Sequence, residues 1–174
     1  MSEAELNIRE TSSPSDLDVS LRVIRDSFQT VTGQFGLTEE NCPTHPAFMT
    51  AGQLEDMKDR GLKLFGLFSR GQQVGFIAVE KNEGGVFWIE KLAVLPSHRH
   101  HGFGEKLVGH AIDYIRENGG TKVSLGMIDE HTVLKDWYKG LGFRQTSARR
   151  FPHLPFTVCM MEKNLGSTSE DSGH

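Results

Sequence analysis

With 174 residues and a formal net charge of −4, the chain is long enough to bury one core and has no global positive field to recruit nucleic acid. Apolar residues make up 37% and charged residues 24%, ordinary proportions for a globular protein and not for a disordered or fibrous one. The polar, acidic start MSEAELNIRE is unlike a secretory leader, and no apolar run nears the ~18 residues a membrane helix needs, so a cytoplasmic chain without membrane or nucleic-acid partners is expected.

Leu6 and Ile8 alternate with polar residues and predict a first strand at about 5–11. A helix is predicted from Pro14–Ser15, its stripe set by Leu17, Leu21, Ile24 and Phe28 at three- and four-residue spacing. A Gly/Pro/Thr-rich connection follows at 33–46, where Cys42 lies; this thiol and Cys159 are expected to be reduced and partly buried. Thr50 is a candidate N-cap for a short helix through Met57, stopped at Gly61. Strands are predicted at 62–69, 73–81 and 86–95, with turns at 70–72 and 82–85 and Pro96 closing the run. Phe103, Leu107, Val108, Ala111, Ile112 and Ile115 share one face of a helix over 103–118, which Gly119-Gly120 ends. A short strand at 122–127, a helix at 130–140 and paired strands at 143–150 and 155–162 complete a domain over 1–165. The polar tail 166–174, GSTSEDSGH, is expected to be disordered. The strand–helix–strand unit 86–127 requires a parallel pair, while the hairpins around it make the remaining sheet antiparallel.

The stretch Leu92-Ala93-Val94-Leu95-Pro96-Ser97-His98-Arg99-His100-His101-Gly102-Phe103-Gly104 leads from a strand into a helix through a basic loop. Its glycines permit close backbone approach, the first helical turn offers free N–H groups, and Arg99 adds charge, which together suit a pyrophosphate. The spacing lacks the third glycine of a dinucleotide fingerprint and the Lys-Ser/Thr of a P-loop. A tight strand-to-helix turn without a ligand is the alternative.

Arg99-x-x-Gly102-x-Gly104, preceded by Leu92-Ala93-Val94-x-Pro96, resembles the Arg/Gln-x-x-Gly-x-Gly/Ala motif of the GNAT acetyltransferases. Trp137-Tyr138-x-x-Leu141-Gly142-Phe143 is similar to that family's second signature, in the family's order. The resemblance covers most of 5–163. It implies a three-layer αβα fold of the α/β class, with a mixed, mainly antiparallel sheet whose parallel strands splay to admit acetyl-CoA as co-substrate. Leu92, Ala93 and Val94 would line the pantetheine arm. The amides of Arg99, His100, His101, Gly102, Phe103, Gly104 and Glu105 would hold the pyrophosphate. His131 stands where many relatives carry a cofactor-contacting Asn.

An amine with a pKa of roughly 10.4 is neutral in only about one molecule in 2500 at pH 7, so N-acylation needs a base, and the leaving thiolate needs an acid. Glu90 reads as the lone carboxylate on a strand face shared with Trp88, Leu92 and Val94, and in polyamine-type relatives a glutamate occupies the matching position. The alternative is a Glu paired in the sheet or exposed. Tyr138 is the acid that the resemblance implies; core packing is its alternative. His98, His100 and His101 lack zinc spacing, so no metal is expected. The resemblance assigns the acceptor roof to the first two helices and their connection, hence to Phe35, His45 and Phe48, with a contribution from 149–155.

The expected activity is acetyl transfer to a primary amine of a small molecule by direct attack in a ternary complex. A protein or peptide amine as acceptor, and a catalytically silent acyl-CoA-binding module, are the competing readings. A homodimer is compatible with the sequence, which does not fix oligomeric state.

Overall fold

Residues 5–166 are described in the computed structural model. Ser13 opens the first helix, α1 (Pro14–Phe35), with a reciprocal capping box: its hydroxyl accepts the Asp16 N–H, and Asp16 reaches back to the Ser13 N–H. Thr50 and Gln53 repeat the device at α2 (Ala51–Asp59). The capping residue expected from the sequence is therefore the one used.

The elements follow the order read from the sequence. Strands β1 (Leu6–Glu10), β2 (Lys63–Ser69), β3 (Gln72–Lys81), β4 (Val86–Val94), β5 (Lys122–Ile128), β6 (Arg144–Arg150) and β7 (Thr157–Asn164) form one sheet, ordered β1-β2-β3-β4-β5-β7-β6. Every neighbouring pair is antiparallel except β4–β5. Helix α3 (Phe103–Glu117) makes the crossover between those two, and α4 (Thr132–Gly140) follows β5.

Each sheet face has its own core, which gives three layers. On one face α1 and α2 bury Leu17, Ile24, Leu54 and Met57 against Leu64, Phe76 and Ala78. On the other, Leu107, Ala111 and Ile115 of α3 are completely shielded from solvent, against Leu67, Ile77, Phe87 and Val123. Full burial of a large aliphatic side chain is worth roughly 1.5–3 kcal/mol before entropy is set against it. The alternating assignment of Leu64 to one core and Phe65 to the other follows from the two-residue period of a strand.

Two departures from the sequence reading matter for function. Helix α1 continues to Phe35, through Gly33, and ends only where Gly36 takes the left-handed conformation (φ 64°). The apolar spacing Ile24, Phe28, Val31, Phe35 carries the helix past the point where glycine and threonine suggested a loop. The second departure is a bulge in β4. Ala78 pairs with Glu90 and Phe76 with Ala93, so Lys91 and Leu92 together stand opposite Ile77. Lys91 takes φ 57°, a left-handed conformation uncommon for a side-chain-bearing residue. The bulge reverses the facing of the rest of the strand: Leu92 and Val94 pack on the α3 core and Ala93 joins the α1/α2 core. Glu90 thus shares a face with Trp88 but not with Leu92 and Val94, contrary to simple alternation. Of the polar tail expected at 166–174, residues 167–174 lie outside the described residues.

Candidate active site

Strands β4 and β5 pair only over Val86↔Lys122, Phe87↔Val123 and Trp88↔Ser124. Beyond that they separate, while β5 keeps its pairing with β7 through Ile128. The β5-facing edge of β4 is left open from about residue 89 onward. Leu95 N–H bonds to the Val74 carbonyl on the β3 side, at 2.9 Å, so alternation turns the Leu92 and Val94 peptides toward the open edge. That edge can add an extended ligand as a further strand.

A cavity of about 420 Å³ fills the wedge. Phe28 and Val31 of α1, with His45 and Pro46 of the connection, form its roof. One wall is Trp88–Leu92 of β4; the other is Leu125–Ile128 of β5. His131, Leu134 and Tyr138 close the α4 end, and Val158 of β7 enters together with Phe156, which immediately precedes that strand. The lining is mostly apolar, a setting in which a few polar groups fix a ligand's orientation.

Glu90 and Tyr138 both line this cavity. Glu90 is half-buried, and its carboxylate forms no hydrogen bond or ion pair with another described residue. Tyr138 is 5% exposed, and burial pushes its phenol well above the ordinary tyrosine range, so the hydroxyl stays protonated. No described residue accepts its proton. Its ring is held edge-on by Trp137 at 5.0 Å and Phe143 at 5.5 Å, which explains the local sequence Trp137-Tyr138 followed by Phe143.

Two imidazoles line the same space in the same state. His45 Nδ1 accepts the Ala47 N–H at 3.2 Å, and His131 Nδ1, capping α4, accepts the Leu134 N–H at 3.4 Å. Each ring therefore carries its proton on Nε2. Burial, with Lys91 adding repulsion, lowers the His45 pKa to about 4; burial also lowers that of His131. Both are neutral hydrogen-bond donors at physiological pH. Phe35 and Phe48, expected in the acceptor site, stand one layer back. Phe35 packs on His131 at 5.4 Å and Phe48 on His45 at 6.1 Å, and neither borders the cavity.

At the wide end, the loop into α3 has the geometry of an anion seat. His100 (φ 66°) and Gly102 (φ 79°) are left-handed, and the α3 N-cap makes no side-chain hydrogen bond. The amides of His100, His101, Gly102, Phe103, Gly104 and Glu105 find no acceptor among the described residues. Consecutive N–H groups in such a turn form a concavity for an anion, and the helix dipole reinforces it. Phe103 is buried in the α3 core and His100, His101 and Glu105 are exposed, so the backbone is what this segment offers in common. Gly104 has a packing reason to lack a Cβ, which would sit 3.3 Å from the Trp137 ring. The Arg99 side chain departs from the expectation of a free phosphate-binding charge. Nε donates to the Val94 carbonyl at 3.2 Å, Nη1 to Thr30 Oγ1 at 3.0 Å and Nη2 to the Ser27 carbonyl at 2.7 Å. The guanidinium ties the loop to α1. His98 stacks on Phe103, and the described residues contain no group of three metal-binding side chains.

Sequence reasoning missed Lys91 and Phe156 in the cavity wall. Nothing in the local pattern marks the bulge that turns Lys91 there, and Phe156 arrives only because β7 inserts between β5 and β6.

The family model of the GNAT acetyltransferases matches residues 28–143, two-thirds of the chain. The chain belongs to the GNAT acetyltransferase family. It is an acetyl-CoA-dependent N-acetyltransferase, and its sheet has the single parallel, splayed β4–β5 pair that the resemblance implied. Its fold is similar to that of the paia N-acetyltransferase from Thermoplasma acidophilum, solved in complex with coenzyme A. The TM-score is 0.76 at 20% identity, over 94% of this chain and 99% of that one. Similar too is the ribosomal-protein-S18-alanine N-acetyltransferase from Escherichia coli, with TM-score 0.75 and 16% identity over 95% and 97% of the two chains. At such identities the likeness is one of fold. No curated protein matches the sequence.

Proposed function

We propose that this GNAT enzyme acetylates the primary amine of a small molecule by direct attack within a ternary complex. The observation carrying this reading is that Glu90 and Tyr138 border one largely apolar cavity where β4 leaves β5. The backbone edge at Leu92 and Val94 takes the pantetheine arm, Ala93 anchors that edge from the α1/α2 core, and the amides of 100–105 take the pyrophosphate, the Arg99 N–H being already given to the Pro96 carbonyl, with His131 donating from the far wall. Glu90 accepts a proton from the acceptor ammonium, directly or through water, and passes it to solvent. The amine nitrogen then bonds to the thioester carbonyl carbon and the C–S bond breaks. Tyr138 supplies the proton that the departing sulfur takes up, and the proton lost by the nitrogen restores the phenol. Cys42 and Cys159 are buried, and burial raises both thiols above their ordinary pKa, which disfavours an acyl-enzyme route.

A protein or peptide amine is the second reading. It is favoured by a neighbouring depression, bordered by Thr50, Gln53, Asp56 and Arg60, that shares Glu90 and Lys91 with the main cavity and would let a longer acceptor run out along α2. Release of CoA thiol, measured over a panel of small primary amines and short peptides, separates the two. Turnover of small amines supports the first, turnover of peptides alone supports the second, and failure to bind acetyl-CoA by calorimetry overturns both.

A further inference from the structure

In a regular strand, neighbouring side chains point to opposite faces. Glu90 and Lys91 nevertheless border the same cavity, which runs along the open edge of β4 from Trp88 to Leu92, and both also border the adjoining depression, at the point where the bulge interrupts the alternation. Their side chains do not pair with each other, and neither side chain forms a hydrogen bond or ion pair with another described residue. A carboxylate and an ammonium, both half-buried and adjacent in sequence, are thus offered to whatever occupies the space. Lys91 is held there in a left-handed conformation that glycine would adopt at less cost. Backbone strain of this kind is characteristic of binding sites.

The rest of the lining adds no further net charge. His45 and His131 are neutral and present Nε2–H donors, and the remaining wall is apolar, with Phe28, Val31, Trp88 and Phe156 facing in. An acceptor carrying only an ammonium would satisfy Glu90 and be repelled by Lys91. One carrying an ammonium and an anionic oxygen group a few bonds apart satisfies both, with His45 able to donate to the anion as well. Building on the small-molecule reading above, we infer that the acceptor is a zwitterion of amino-acid type with an apolar side chain, its carboxylate held by Lys91 and its amine presented to Glu90.

Matched pairs test this: phenylalanine against phenethylamine, and leucine against isopentylamine. Each is titrated calorimetrically into CoA-loaded protein and assayed for CoA release with acetyl-CoA. The amino acid of at least one pair is expected to bind, and to be acetylated with kcat/KM, at least tenfold better than its decarboxylated partner. Lys91→Gly removes the charge and relieves the strained backbone; it should erase that preference, while Lys91→Arg should keep it. Coenzyme A affinity should be the same in all three proteins. The inference is overturned by equal or better performance of the carboxylate-free amines, by a preference that survives Lys91→Gly, or by CoA-loaded protein that binds no member of either pair. Coenzyme A binding itself reports separately on the acetyltransferase reading.

Discussion

The Arg99 guanidinium donates to the Ser27 carbonyl at 2.7 Å, linking the α3-leading loop to the middle of α1 across 72 residues of chain. With its bonds to Val94 and Thr30, this makes Arg99 a structural clamp at the base of the anion seat. Hydrogen bonds from charged donors contribute about 1.5–3 kcal/mol each, less what water returns where the group is partly exposed. Arg99→Met should therefore lower stability by about 2 kcal/mol in urea unfolding. It should also weaken coenzyme A binding less than tenfold, since backbone amides make the seat. A loss of affinity beyond a hundredfold with stability intact would return Arg99 to the role of a direct phosphate ligand.

Ser27 supplies a contrast within the same contact. Its hydroxyl is buried without a hydrogen-bond partner, although its carbonyl accepts from both Arg99 and Thr30. A buried unsatisfied hydroxyl costs about 1–3 kcal/mol, so Ser27→Ala should be neutral or stabilising. Thermal unfolding decides the point; a clear fall in Tm would mean that the hydroxyl has a partner, such as a bound water.

Tyr138 and Glu90 should separate catalysis from binding. Tyr138→Phe removes a hydroxyl with no partner among the described residues, so stability should be unchanged or slightly higher. The raised phenol pKa means that Tyr138 remains an acid throughout the pH range in which amines are assayed. Removing it should lower kcat by about 10²-fold or more, the usual scale of general acid–base assistance, with coenzyme A affinity within twofold of the parent. Glu90→Gln should act likewise, most strongly at low pH, where the acceptor is almost wholly ammonium. An unchanged kcat in either variant would remove that residue from the mechanism.

What could be read from the sequence was whatever short-range chemistry fixes. The Thr50 cap, the α3 stripe and the turn at Asn82–Gly85 each depend on residues a few positions apart, and each is present. The β4–β5 parallel pair followed from the helix between them. Features needing distant partners were less accessible. Arg99 looked like a free cation because nothing nearby in sequence shows that Ser27 and Thr30 would meet it. Lys91 drew no attention because a bulge is decided by the pairing with β3 and leaves no local mark. Helix α1 outran its predicted end because the Phe28–Phe35 face is half-buried against the cavity and the connection, contacts that outweigh the intrinsic cost of Gly33 at roughly 1 kcal/mol.

His45 gives the stability of the protein a specific acid dependence. Its ring is 6% exposed, packed edge-on against Phe28 at 5.6 Å, and its pKa falls from 6.5 unfolded to about 4 folded. Between those values the unfolded chain binds more protons than the folded one, so stability rises with pH through this window. The contribution is fully present above pH 6.5 and is lost as pH falls toward 4. At about 1.4 kcal/mol per unit, the loss approaches 3 kcal/mol. Asp16, held at about 2 by its hydrogen bonds with Arg9, acts lower: its stabilisation of the α1 start is lost only as pH falls from about 4 toward 2. The two windows barely overlap, so a variant can isolate the first. His45→Asn keeps a side-chain acceptor for the Ala47 N–H but cannot titrate. Its urea-unfolding free energy should fall less between pH 6.5 and 4.5 than that of the parent, the remaining decline being the share of His131, whose pKa burial also lowers. Parallel declines in the two proteins would show that the acid sensitivity resides elsewhere, and that His45 is not buried in its neutral form.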